Sequence, residues 1–133
     1  MNEAIEFHDS VLARIERSGD EIRLLFRLAY VHRSSGEPGL HAGTGWTVDV
    51  ELILFSAHGP SIAPNLPYDV WDGDLRVDDS AFSNVVPLPL ELSGNVSLRI
   101  ELNSGQVVEA TGTRAQLLVV GPYTFVEENE SFE

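Results

Sequence analysis

The chain of 133 residues has no cysteine and no lysine, one methionine and two tryptophans. Without cysteine it forms no disulfide and offers no thiolate to a metal, which fits a reducing compartment. No apolar run approaches the roughly 18–20 residues of a membrane helix. The opening Met1-Asn2-Glu3-Ala4-Ile5-Glu6 has neither the basic nor the apolar region of a secretory signal. These absences predict a cytoplasmic protein with no membrane partner. The length is that of one domain, placed at residues 1–127, with 128–133 as an acidic C-terminal tail.

Positive charge is the next scarcity. Eight arginines face 21 carboxylates, for a net charge of -13. Residues 1–33 hold five of the arginines and six of the carboxylates, so nearly all of the excess lies beyond residue 33. Such a surface repels phosphate backbones, which argues against nucleic acid as a partner and favours a basic protein.

Nucleotide and catalytic motifs are missing as well. Gly36, Gly39, Gly43 and Gly45 are not followed by the Gly-Lys-Ser/Thr that cradles phosphate, and no Gly-x-Ser-x-Gly elbow occurs. Asp69, Asp72, Asp74, Asp78 and Asp79 lack the order of an EF-hand loop. No cofactor or metal is expected.

What is present is alternation with period 2, which marks half-buried strands. Ile5–Arg17 and Glu21–Arg33 read as two long strands joined at Ser18-Gly19-Asp20. A type II′ turn with Gly19 first puts residue i opposite 39 − i. Ile15 then faces Leu24, Ala13 faces Phe26, Val11 faces Leu28, and Glu16 meets Arg23. Trp46–Ala57 is a further strand with Val48, Val50, Leu52 and Leu54 inward. Asp72-Gly73 reads as a hairpin turn between 68–71 and 74–77. Pro87 and Pro89 mark the 81–92 segment as an edge. Strands at 96–102, 106–112, 115–120 and 123–127 complete about nine. The expected fold is all-β: a single-domain antiparallel β-sandwich or a partly open barrel.

Asp9 stands out because it falls on the apolar phase of the first strand, opposite Tyr30 and diagonal to His32. A buried carboxylate must be paired. The three residues read either as an acid–base or metal site, with His8 nearby, or as a satisfied polar cluster. A bulge at Asp9-Ser10 that turns the carboxylate outward is the third reading. His41 and His58 lie in two long loops, 34–45 and 57–67, which would rim a pocket if they met at one end of the domain. Asp69, Trp71, Asp72, Asp74, Asp78 and Asp79 form an acidic stretch in which Trp71 is either an interface anchor or a core residue.

Phe7-His8-Asp9-Ser10, its alternating strand and the Gly19-Asp20 turn resemble the N-terminus of small uncharacterised bacterial β-rich proteins. They also show a weaker similarity to toxin-immunity-type families. That resemblance implies inhibition by binding a toxin domain, and no catalytic residue. The expected function is a non-enzymatic, antitoxin-like interaction protein presenting the acidic stretch to a basic partner. The alternative is a small-ligand or carbohydrate-binding domain that uses loops 34–45 and 57–67.

Overall fold

The computed structural model describes residues 1–61 and 63–130, which contain ten strands and no helix. In chain order these are β1 (Asn2–Glu6), β2 (Val11–Ser18), β3 (Glu21–Ser34), β4 (Gly43–Phe55) and β5 (Tyr68–Val77). They continue with β6 (Ser80–Ser83), β7 (Val85–Leu88), β8 (Leu90–Leu102), β9 (Val107–Val119) and β10 (Thr124–Asn129).

Six strands close on themselves in the antiparallel ring β2-β3-β4-β9-β8-β5, with β5 returning to β2. The fold is therefore an all-β closed barrel with four strands added outside it, which removes the sandwich alternative. Its interior is a packed apolar core and not a lumen. Phe26, Leu12, Leu24, Leu52, Leu54, Leu75, Leu98 and Ile100 are all essentially inaccessible to solvent. The alternation read from the sequence supplies them, because every second residue of a barrel strand points inward.

Of the added strands, β6 pairs with β5, and the other three make a wing at one end. There β1 lies between the C-terminal part of β3 and the edge strand β7, while β10 pairs with the first residues of β4. Strands β3 and β4 run through both ring and wing. The prolines expected at an edge are there: Pro87 lies in β7, the last strand on that side. The tail expected from residue 128 begins later, since Glu128 and Asn129 still pair with Thr44 and Gly43. The rest of that tail, from 131 on, lies outside the described residues.

The first hairpin follows the 39 − i register from Ser18↔Glu21 to Arg14↔Leu25, and Gly19 has φ +62° as the turn requires. A bulge at Ala13 then shifts the pairing, so that Leu12 and not Ala13 faces Phe26. Glu16 faces Arg23 as derived but binds Arg14 at 2.9 Å. Arg23 takes Glu51 at 2.9 Å and Glu21 at 3.2 Å.

Several expected strand bounds are overturned: the 81–92 segment is divided among β6, β7 and the start of β8, while the expected breaks at 93–95 and 113–114 lie inside β8 and β9. Ile5–Arg17 is not one strand, because the chain turns a corner at Phe7–Ser10 between β1 and β2. Asp72-Gly73 is not a hairpin, because β5 runs straight through it with a bulge at Trp71. Gly73 is needed there for space: a Cβ would lie 2.6 Å from the Phe7 ring and 2.9 Å from Ile100. The turn comes later at Asp78-Asp79, where Asp78 itself takes φ +50°. Aspartate tolerates that region because its side chain bonds nearby backbone; here Asp78 Oδ1 accepts from Asn95 N at 2.8 Å.

Candidate functional site

The Phe7-His8-Asp9-Ser10 motif is the device that closes the ring. Phe7 is fully buried between Gly73 and the Phe26 ring, whose centroid is 5.2 Å away. Ser10 is also buried and donates from Oγ to the Phe7 carbonyl at 2.5 Å. Asp9 adopts φ +66°, and its amide donates to Val70 O at 3.0 Å. The corner thereby continues the β2–β5 seam beyond its paired residues.

That corner turns the Asp9 carboxylate outward, where its side chain is 81% exposed. Asp9 is therefore not the buried partner of Tyr30 and His32, and the outward-turned reading is the one that fits. His8 donates from Nδ1 to the Trp71 carbonyl at 2.5 Å, which leaves Nε2 facing Asp9 Oδ2 at 3.4 Å. The His8 ring also meets the Trp71 indole edge-on at 5.2 Å.

Trp71 is 57% exposed, so it is not a core residue. The bulge explains how: Val70 and Gly73 both point inward, and the extra residue sends Trp71 and Asp72 together to the outer face. Asp69 lies on the same outer phase, and Glu101 of β8 stands across from Asp72. Four carboxylates (Asp9, Asp69, Asp72 and Glu101) thus gather near one exposed indole. Asp72 Oδ1 also accepts from Gly73 N at 2.8 Å.

The other end of the predicted acidic stretch is different. Asp74 stands opposite Arg99, Arg76 follows on the same phase, and Asp78 is turned onto the Asn95 backbone. Asp79 is exposed at the turn. The charge there is mixed, and one aspartate serves the turn. Tyr68 falls on the phase of Leu12 and not on that of Trp71.

Tyr30 and His32 do come together on the outer face of the wing, with ring centroids 4.8 Å apart. Their carboxylate is Glu6 and not Asp9: His32 Nε2 lies 3.2 Å from Glu6 Oε1. Because β1 ends before the corner, Glu6 holds the place opposite Tyr30 that an unbroken strand would give Asp9. The His32 contact holds the Glu6 carboxyl below its ordinary range, against the opposing effect of burial. Burial raises the Tyr30 phenol, which also donates to Glu127 Oε1 at 2.9 Å and meets Asn129. The hydroxyl end of Tyr30 lies over Gly45, where any side chain would collide with it. Among the described residues, no group of three or more His, Cys, Asp or Glu has metal-binding geometry.

An open groove of about 570 Å³ runs beside Glu6 and His32, walled by Pro38, Leu40 and Val85. Its neighbour, about 680 Å³, shares Glu37, Pro38 and Val85 and extends to Pro87 and Leu88. The loops expected to rim one pocket do not meet. Ala57 bonds Asp20 at the start of β3, while Ser34 at its end bonds Ala42. The strand between them spans roughly 40 Å at about 3.3 Å per residue. His41 and His58 are separated accordingly; His41 accepts from the Glu37 amide in its own loop. Ala57 and Gly59 instead accept from Arg17 at the end of β2, and Asn65 donates to Gln106 before β9.

Comparison with known proteins adds no relative: no protein-family model, no curated protein and no solved structure matches the chain.

Proposed function

We propose that this protein is a non-enzymatic binding module that grips a basic protein partner through the acidic patch around Trp71. The observation that carries this reading is the position of that indole. It is more than half exposed on a strand of a closed barrel, with Asp9, Asp69, Asp72 and Glu101 about it. Of these four, Asp69 and Asp72 enter no ion pair among the described residues, whereas Asp9 lies 3.4 Å from His8 and Glu101 3.9 Å from Arg99. An arginine or lysine of the partner would stack on the indole and meet the flanking carboxylates. The resemblance of Phe7-His8-Asp9-Ser10 to immunity-type proteins supports an inhibitor acting in the cytoplasm, and the net charge supports electrostatic steering of a basic target.

The test is co-expression with the product of the neighbouring gene, followed by binding measurements on the purified pair. Trp71→Ala should weaken binding by at least about 2 kcal/mol, the scale of an interface hot spot. Asp69→Asn with Asp72→Asn should slow association and flatten its salt dependence, and asparagine keeps the oxygen that accepts from the Gly73 amide. Unaltered affinity in both variants would refute the patch.

A second reading rests on the grooves beside Glu6 and His32: a small cationic ligand held between Glu6, Glu37 and the apolar wall of Pro38 and Val85. It replaces the two-loop pocket, which the separation of the loops rules out. A thermal-shift screen with amines would show it as a raised melting temperature.

A further inference from the structure

The barrel has no edge, but the strands outside it do, and they are treated differently. On one side of the sheet the last strand is β7, in which Pro87 removes a backbone donor, with Pro89 directly after it. Strand β6 is only four residues long. The strand β10 on the opposite side has neither protection. It pairs with β4 along one edge, and among the described residues no backbone hydrogen bond leaves its other edge. Five of its six residues are exposed, including Phe125 at 52% and Val126 at 47%. Proteins usually blunt an edge of this kind with charge, a bulge, proline or a covering element; β10 has two glutamates and a bulge at Val126, but no proline and no covering strand among the described residues.

The free edge is also well supported from behind. Phe125 packs edge-on against Trp46 at 5.2 Å, and Trp46 meets Tyr123 at 6.2 Å. Arg33 lies over both Trp46 and Tyr123, 4.7 and 4.9 Å from their centroids, and its guanidinium binds Glu3 at 2.7 Å. On the other face Glu127 and Asn129 are tied to Tyr30. The strand is thus held in register with its outer backbone groups open.

We propose that β10 is a template for strand addition by an extended basic segment of a partner protein. Main-chain bonds to the open edge would supply affinity. An apolar residue of the incoming strand would lie beside Phe125, and basic residues beside Glu127 and Glu128. A second copy of this chain fits poorly. Full antiparallel overlap of two β10 strands would crowd Glu127, Glu128 and Glu130 of both copies onto one short ribbon with no cation between them. This surface is independent of the Trp71 patch, since β4 and β5 stand on opposite sides of the ring.

The probe is a capped octapeptide of alternating lysine and valine. Hydrogen exchange should show it protecting residues 124–129, and Trp71→Ala should leave its binding unchanged. The same peptide with alternate amides methylated should not bind, nor should its glutamate–valine counterpart. Phe125→Lys and, as a milder variant, Glu128→Lys should each weaken binding by roughly tenfold, the result of turning favourable neighbours into like charges. Protection that appears elsewhere, equal binding of the methylated peptide, or dimers seen in sedimentation that Phe125→Lys dissolves would each overturn the proposal.

Discussion

Ring and wing share β3, β4 and one apolar cluster, yet they differ in the polar contacts added to it. The ring buries a continuous set of aliphatic and phenyl side chains, and no charged side chain is buried with them. The wing adds Ile5, Val31, Val86 and Leu88 to that cluster and is tied besides by partly buried polar contacts: Glu3 to Arg33 and Tyr123, Arg33 between two aromatic rings, and Glu6 to His32. The point of transition is the bulge at Arg27-Leu28, where Leu28 takes φ +56° and its amide donates to Asp49. Apolar burial carries no titrating group, whereas the wing's ionic contacts respond to pH and are screened by salt. Beyond Leu28, strand β3 therefore adds partly buried contacts that both conditions tune.

The comparison is sharpened most by Phe26→Ala. It should cost about 3–5 kcal/mol of global stability in urea melts, as for other buried phenylalanines. Ring and wing should lose protection together. A loss below about 1 kcal/mol would mean that the ring is not the foundation.

Arg33→Leu should act on the wing alone. Two cation–π contacts, each about 0.5–1 kcal/mol, and an ion pair go with it. Exchange at 124–129 should quicken severalfold while β8 and β9 stay protected. Equal loosening of β8 and β9 would erase the distinction between the two regions.

The smallest effect concerns acid. The folded Glu6 value lies below its ordinary one, so its contribution is fully present above the unfolded value of roughly 4.3 and is lost as pH falls through the folded value. The wild-type wing should lose protection in that window by a few tenths of a kcal/mol, since Glu6 is partly solvated. Glu6→Gln should show no such step. An identical step in the variant would assign the acid response to other groups.

The inward phase of most strands was legible in the sequence because a barrel's inside and outside impose alternation, but the bounds at 5–17, 81–92, 93–95 and 113–114 were not. The first register was legible too, as far as Leu25. What was hidden came from places where one residue is added or bent. The corner at Asp9 turns the chain without glycine, so period 2 assigns that carboxylate to Tyr30 and His32, while Glu6 holds the place. The bulge at Trp71 broke the period and made Asp72-Gly73 look like a turn; the real demand on Gly73 is made by Phe7, more than sixty residues earlier in the chain. The Asp9-Ser10 pair was the available signal, since aspartate is among the few residues that accept a left-handed conformation. The acidic patch was visible only as composition. Its centre depended on strand pairing that brings Asp9 and Glu101 to the same side.

The seam between β2 and β5 consists of Val11↔Asp69 and Leu12↔Tyr68, extended by the corner. It joins segments more than fifty residues apart, whereas β2–β3 and β8–β9 are local hairpins. Loop-closure entropy therefore places the seam after those hairpins in the order of assembly. The His8–Trp71 latch cannot form before it shuts. Display of that indole is a late event in maturation, and a half-made chain does not yet own the surface.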